Sequence, residues 1–376
     1  MKLKKFSKKS PDLLMLSLDH PPNPGGISRL SGEIVRKFID KGYLVKVVTF
    51  FANAHRKNQN NLSYQEISRI KGLRDYQLMR AVKYVSRDTP ILATTWNPEA
   101  TIALLSGAQR VTIFAHGAEL MEYKGKHLWT FIRRLVLERA RKVICCSRFT
   151  EMLVLKIAPK AKTVVINPAI DLKKFGLSIN KNEARKKIKL PISKQIILTV
   201  SRLDKNKGHE TVIKSIANLS PDEKKKILYV IIGEGDMLEK LINLTKELNL
   251  QEQVYFTGFV KDENLKFYYH ASDLFVLASN SDYHNNKIEG FGIVFLEAQA
   301  AGLAVIGTRC GGIPDAVREG EGGWLIDEKD TLALTSHLKK LLTEPKTIQD
   351  QGFLGLERIK REFSFDNYIR RLIELI

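Results

Sequence analysis

The stretch IEGFGIVFLEAQAAG at 288–302 sets two carboxylates, Glu289 and Glu297, eight residues apart, with Gly290 and Gly292 opening an apolar helical pattern. A carboxylate accepts hydrogens from two neighbouring alcohols. Backbone N–H groups at a glycine-opened helix start attract anions with no side chain in the way. Eight residues of helix rise about 12 Å. That separation argues against joint proton work and for a ligand with two polyol ends joined by a short anion. Glu289, with the backbone of Gly290, Phe291, Gly292 and Ile293, suits a sugar ring, and Glu297 suits a ribose diol. SRLDKNKGHE at 201–210 contributes Arg202, a planar fork, and Lys207, a point charge, a pair suited to a diphosphate. Taken singly, each feature has a plainer counterpart: a solvated acid, a carboxylate on a helix dipole, two surface cations. Their placement at strand ends is what favours a site.

Two further stretches could do chemistry. PPNPGGIS at 21–28 has a proline-stiffened loop in which Gly25 and Gly26 let the backbone turn and approach a ligand, with Ser28 able to cap the helix that follows. HGAEL at 116–120 sets His116 and Glu119 three residues apart beside Gly117. The histidine can act as a neutral donor or an acid, and the glutamate can orient it or a hydroxyl. No third ligand stands nearby, so metal binding is not expected. IIGEGDM at 231–237 is a fragment of a dinucleotide fingerprint without its third glycine and reads as a tight strand-to-helix turn.

The elements that must position these residues alternate short apolar runs with helical patterns, the signature of parallel sheets in βαβ units. Strands are expected at 13–18, 44–50, 91–95, 111–116, 142–147 and 163–168, and again at 195–201, 227–233, 254–259, 274–279, 304–308 and 323–327. Helices are expected at 28–41, 66–87, 97–107, 127–141 and 148–157, then at 208–219, 236–249, 262–271, 290–301, 312–318 and 330–343. The run 348–376 reads as helical and amphipathic. The fold class is therefore α/β, with two doubly wound Rossmann-like domains facing a central cleft and a polar, basic boundary near 169–194. In such sheets ligands bind beyond the carboxyl ends of the strands, where the residues above are expected.

The chain of 376 residues is long enough for two cores, and its 44% hydrophobic and 27% charged content is that of a soluble globular protein. No apolar run approaches the ~18 residues of a membrane span. The basic amino terminus, MKLKKFSKKSPD, is followed by too short an apolar run for a secretory signal. Cys145, Cys146 and Cys310 lack disulfide or metal spacing and are expected as free thiols in the cytoplasm. The net charge of +20 is uneven: residues 1–172 hold 30 Lys and Arg against 13 Asp and Glu, the remainder 31 against 28. That asymmetry calls for an anionic partner of the first half or serves solubility alone. The stretches 66–88 and 124–142 mix cations with apolar and aromatic residues, as a peripheral helix on an anionic membrane surface does, and as a core-packed helix with a solvated face does too. A nucleic-acid partner rests on charge alone, since no binding module or basic–aromatic interleaving is present.

Read in order, PPNPGGIS, HGAEL, VICCSRF, INPAIDLKKF, SRLDKNKGHE, IIGEGD, FTGFV, ASDLFVLAS, EGFGIVFLEAQAAG and GGIPDAV span most of the chain. Together they resemble the retaining glycosyltransferases of family 4, which have the GT-B fold. The motifs are closest to the phosphatidylinositol mannoside mannosyltransferase-like branch. The resemblance implies that Arg202 and Lys207 bind the diphosphate of a GDP- or UDP-linked sugar. It implies that Glu289 and the 290–292 backbone hold the donor sugar and that Glu297 binds the nucleotide ribose. Gly25 and Gly26 would approach the phosphate, and His116 would stand by the anomeric carbon with Glu119 behind it. It implies a last helix crossing back to the first domain, giving an acceptor-binding domain of 1–172 with about 360–376 and a donor-binding domain of 173–359. The acceptor would be a glycolipid, a lipid-linked sugar or a glycan, and no metal or other cofactor is implied. A nucleotide-sugar epimerase or a phosphorylase on the same fold, a sugar-nucleotide-binding module without catalysis, and a basic nucleic-acid-binding protein are the alternatives.

Overall fold

Strands buried on both faces read as near-continuous apolar runs, and two all-parallel sheets form from such runs. The structure, a computed structural model, describes residues 10–23, 25–50, 61–121, 127–176 and 179–376. The chain up to Ile166, joined by Tyr368–Ile376, forms one compact unit, and Asn167–Asn367 forms the other. The division falls a few residues from the expected one for a local reason. Ile170 N–H donates to the Phe363 carbonyl at 2.9 Å, which ties the start of the linker to the second unit.

The sheet of the first unit contains β1 (Leu13–Leu16), β2 (Val45–Thr49), β3 (Leu62–Glu66), β4 (Ile91–Ala93), β5 (Val111–Ala115), β6 (Lys142–Cys145) and β7 (Thr163–Val165). Their order is β3-β2-β1-β4-β5-β6-β7, all parallel. The second sheet contains β8 (Gln195–Val200), β9 (Ile227–Ile232), β10 (Val254–Gly258), β11 (Leu274–Leu277), β12 (Ala304–Thr308) and β13 (Gly323–Ile326) in the order β10-β9-β8-β11-β12-β13. β9 shows how they are held: all six residues of ILYVII are buried, each aliphatic side chain being worth about 1.5–3 kcal/mol when fully buried. In both sheets the strand order reverses beside the first strand, between β1 and β4 and between β8 and β11. At those points the carboxyl ends open a ligand crevice.

Several elements depart from expectation. β3 was not anticipated: LSYQE lies at the sheet edge with no residue fully buried, so it needs no apolar run. The helix expected at 66–87 is shorter, Lys71–Lys83. The one expected at 97–107 divides into a kinked turn, Trp96–Ala100, and a helix Thr101–Leu105, since Asn97 has extended backbone ahead of Pro98. The run 348–376 forms two helices, Pro345–Glu362 and Phe365–Ile373. The second lies against the first unit, where Arg371 Nη2 donates to the Val165 carbonyl at 2.8 Å.

Candidate functional site

In the second unit β8 ends at Val200, and the chain turns through Ser201–Lys207 into the helix His209–Ala217. β11 ends at Leu277, and a long loop returns to Gly292, the N-cap of the helix Ile293–Ala300. These loops leave the two strands at the reversal point, and their charged side chains meet. Lys207 Nζ donates to Glu289 Oε2 at 2.7 Å, with side chains only 15% and 17% exposed. This ion pair joins two residues singled out from separate motifs 82 positions apart.

Backbone fit brings the loops this close. Gly208 has φ +71°, and a Cβ there would overlap the Ala278 carbonyl oxygen. Gly311, after β12, has φ +53°, and a Cβ there would overlap the Glu289 carbonyl oxygen, which also accepts from Gly312 N–H at 2.9 Å. At the same reversal point Asn206 Oδ1, Ser279 Oγ and Asn280 Oδ1 are buried without a hydrogen-bond partner. Buried polar atoms of that kind cost about 1–3 kcal/mol each, so their gathering beside the ion pair marks a place for a polar ligand. None of the three stood out in the sequence, where Asn and Ser in a polar loop are unremarkable.

Arg202 is 74% exposed and pairs with Asp204 at 3.1 Å. The helix starts three residues later than expected: Glu289 lies in the loop as the pattern predicts, Gly290–Gly292 also precede the helix, and Glu297 is inside it. Gly292 at φ +89° makes the turn, Phe291 packs near Phe363, and Ile293 begins the helix. The first N–H groups of that helix have no intrahelical acceptor and carry the positive end of its dipole. Glu297 is 3% exposed and accepts from the Tyr269 hydroxyl at 2.7 Å.

His209, within the helix expected at 208–219, carries no sequence signal of its own, and the structure buries it at the start of that helix. Its Nε2 lies 3.0 Å from Ser201 Oγ and its Nδ1 3.3 Å from the Tyr229 hydroxyl. Burial pushes its pKa from 6.5 down to about 4. A folded-state pKa below the unfolded one means that the unfolded chain takes up the proton first as pH falls. Stability from this group is complete above pH 6.5 and is lost progressively toward pH 4. At pH 5 the expected loss relative to pH 7 is about 2 kcal/mol. Urea unfolding at both pH values checks this, and His209→Gln should flatten the profile by close to one proton. An unchanged profile in the variant would remove His209 as its source.

In the first unit the remaining candidates stand on the loops after β1, β4 and β5. Gly25, at φ +130°, is the N-cap of the helix Gly26–Asp40, and a Cβ on it would meet nothing within 4 Å, so the turn is open on that side. Ser28 does not cap as expected: it lies inside the first turn, buried, with its hydroxyl unpartnered. Pro24 lies outside the described residues. His116 follows β5, and its Nε2 lies 3.0 Å from the Thr94 carbonyl, which can only accept, so Nε2 carries the hydrogen. Glu119 Oε1 accepts from His116 N–H at 2.6 Å. Unanticipated beside them is Glu99, 2% exposed, whose Oε1 accepts from Leu18 N–H at 3.4 Å and the Thr94 hydroxyl at 3.3 Å, and whose Oε2 accepts from the Thr95 hydroxyl at 2.6 Å. Burial raises its pKa. Among the described residues no group of three or more His, Cys, Asp and Glu side chains is placed to hold a metal.

The family models divide the chain at the linker. Residues 24–174 match the model for glycosyltransferase family 4, and residues 180–352 match that for glycosyl transferases group 1. This chain is a family 4 glycosyltransferase. The glycosyltransferase is 25% identical to the GDP-mannose-dependent alpha-(1-6)-phosphatidylinositol monomannoside mannosyltransferase of Mycobacterium tuberculosis, over 97% of each chain. It is 26% identical to the protein of the same name from Mycolicibacterium smegmatis, over 95% of this chain and 94% of that one. Among solved structures it superposes on Anabaena HepE, determined with UDP and glucose, at a TM-score of 0.80 with 18% identity, covering 97% and 98% of the two chains. The two parallel-sheet, Rossmann-like domains are those of GT-B proteins.

The two basic stretches weighed as peripheral or core-packed helices each bury one face and expose another. Helix Lys71–Lys83 buries Leu78, Ala81 and Val82 and leaves Leu73 and Tyr76 exposed. Helix His127–Arg139 buries Arg133, Val136 and Leu137 and exposes Leu128, Phe131 and Leu135. Residues 124–126 lie outside the described residues. Among the described residues no helix is long and apolar enough to cross a membrane.

Proposed function

We propose that this glycosyltransferase moves a hexosyl group, mannosyl favoured, from a nucleoside-diphosphate sugar to a glycolipid, lipid-linked or glycan acceptor with retention at the anomeric carbon. The observation that carries the proposal is the Lys207–Glu289 pair at the β8–β11 reversal point, flanked by orphaned polar atoms and a helix N-terminus. The second unit holds the donor. Lys207 and Arg202 take the diphosphate, Glu289 and the Gly290–Ile293 backbone take the sugar hydroxyls, and Glu297 takes the ribose diol, a contact for which it must share or release the Tyr269 hydroxyl. GDP-mannose is favoured because it is named in the mycobacterial relatives. The first unit, where the cationic excess lies, receives the acceptor, whose anionic or lipid character would match that charge and the exposed apolar face of helix His127–Arg139.

The step follows from those placements. The bond between the anomeric carbon and the diphosphate oxygen breaks through an oxocarbenium-like state. The acceptor hydroxyl oxygen bonds to that carbon on the same face, and its proton passes to the departing phosphate oxygen. Lys207, Arg202 and the backbone N–H groups lower the barrier by meeting the charge that develops on the diphosphate. His116, on the loop after β5, attends the reacting carbon, and Gly25 and Gly26, at the helix start after β1, approach the phosphate.

A thermal-shift panel of GDP, UDP and ADP with their mannose and glucose derivatives tests the reading. The correct nucleotide should stabilise the protein by about 2.7 kcal/mol at a hundred times its Kd. GDP and GDP-mannose are expected to give the largest shifts. A panel in which no nucleotide shifts unfolding would overturn the donor assignment.

A further inference from the structure

Two charged side chains are buried among the described residues of the first unit, Glu99 and Arg133. Arg133 projects from the inner face of helix His127–Arg139 and is 1% exposed. Burying a guanidinium is costly unless its hydrogens are used, and Leu or Met would fill the same space without that penalty. What the guanidinium holds is the loop that carries His116. Its Nη1 donates to the Glu119 carbonyl at 3.2 Å and to the Met121 carbonyl at 3.0 Å, and its Cζ lies 5.9 Å from the Trp96 ring centre. Trp96 Nε1 donates to the same Glu119 carbonyl at 3.2 Å. The Glu119 side chain closes on His116 N–H, and the His116 ring closes on the Thr94 carbonyl. The loops after β4 and β5 are thus cross-tied, and one residue, Glu119, separates the guanidinium from His116.

We propose that Arg133 is a positioning residue for glycosyl transfer: it anchors the Glu119–Met121 turn and through it sets the place and Nε2-protonated tautomer of His116. The inference rests on the reading above that His116 attends the reacting carbon. Arg133 itself touches no substrate. The turn it holds starts at Gly117, φ +119°, and passes through a single 3-10 turn, Ala118–Leu120, with no side-chain cap. Such a short element has few bonds of its own to fix it. A misplacement of about 1 Å in a positioned group costs on the order of a hundredfold in rate, so a loosened anchor should appear in turnover before it appears in donor affinity.

The test uses the full chain with Arg133→Met, Arg133→Lys and Arg133→Ala. In Arg133→Met, kcat for transfer should fall at least about tenfold while donor KM stays within about twofold, because the side chains assigned to the donor lie on the second unit. In Arg133→Ala, added guanidinium, below the concentration that unfolds the protein, should restore part of kcat. Imidazole 15N spectra should show His116 as the Nε2-protonated tautomer in the wild type and as a mixture in Arg133→Met. Should Arg133→Met fail to fold, Arg133→Lys keeps the charge but lacks the fork and is expected to show the same split of kcat from KM. Unchanged kcat in a folded variant, or a loss without guanidinium rescue and with the tautomer intact, overturns the proposal. A wild-type protein that transfers no sugar from any nucleotide donor removes the functional reading instead, and the 15N spectra of the free protein then decide the anchor by themselves.

Discussion

Lys207→Ala should lower kcat/KM for glycosyl transfer at least about a hundredfold while leaving a folded protein. The scale is that of removing one preorganised donor from developing negative charge, about 2.7 kcal/mol or more of transition-state stabilisation. The structural reason is specific. The ammonium reaches the β8–β11 reversal point from a 3-10 turn, Lys205–Lys207, locked behind Gly208, so its position does not have to be found during the reaction. In the free protein it is paired with Glu289. Its loss therefore leaves a carboxylate, 17% exposed, to be hydrated by water admitted to the site. That cost to stability is modest for a group still reached by solvent and far smaller than the kinetic loss. Lys207→Arg keeps the charge and changes its shape, and should recover only part of the activity, since a guanidinium is broad where the ammonium is compact. The measurement is steady-state transfer by purified variants, with denaturant unfolding to confirm the fold. Transfer by Lys207→Ala within a fewfold of the wild type would remove this residue from the proposed diphosphate contact.

The parts of this protein that were legible in the sequence are those where one residue type carries one physical demand. The inner strands β8, β9, β11 and β12 are buried almost throughout, so their apolar runs announce them. β3 is an edge strand with polar residues and has no such demand to meet. Lys207 and Glu289 were legible as strand-end residues because a basic loop and a glycine-opened helix each imply an anion. Their pairing was not, since it depends on which strands adjoin: β8 adjoins β11, and that brings together two side chains 82 positions apart. The helix starts three residues later than the glycine-opened pattern predicts, because Gly292 at φ +89° ends the loop. Buried charge was the least visible. Arg133 sits in HLWTFIRRLVLER beside Arg134, which is exposed and paired with Glu138, and the letters do not distinguish the inner cation from the outer one. Glu99 and His209 are hidden for the same reason: in a chain this rich in charge, a polar residue near a helix start reads as solvated until its neighbours are known.

Gly208→Ala is expected to be the most damaging single methyl group that can be added near the site, destabilising the second unit by more than about 4 kcal/mol. Two costs add. A non-glycine residue at φ +71° carries roughly 1–2 kcal/mol of left-handed strain. The larger cost is steric, because the added Cβ would overlap the Ala278 carbonyl group, and that carbonyl belongs to the segment just beyond β11. The segment cannot simply retreat: Asn280 N–H donates to the Asn206 carbonyl at 2.7 Å, and the Thr308 hydroxyl donates to the Ser279 carbonyl at 2.6 Å, so it is held from both sides. Gly302→Ala separates the two costs. Gly302 has φ +80° and nothing within 4 Å of a built Cβ, so it should lose only the strain, about 1 kcal/mol, on urea unfolding. If both variants unfold at the same midpoint, the close approach at Ala278 is not what the second unit depends on. If Gly208→Ala falls far below Gly302→Ala, the contact that brings Lys207 to Glu289 is a backbone contact, and only glycine permits it. Any Gly208→Ala protein that does fold should then bind the donor nucleotide more weakly, because the β8 loop must back away from β11 to make room and carries Lys207 with it.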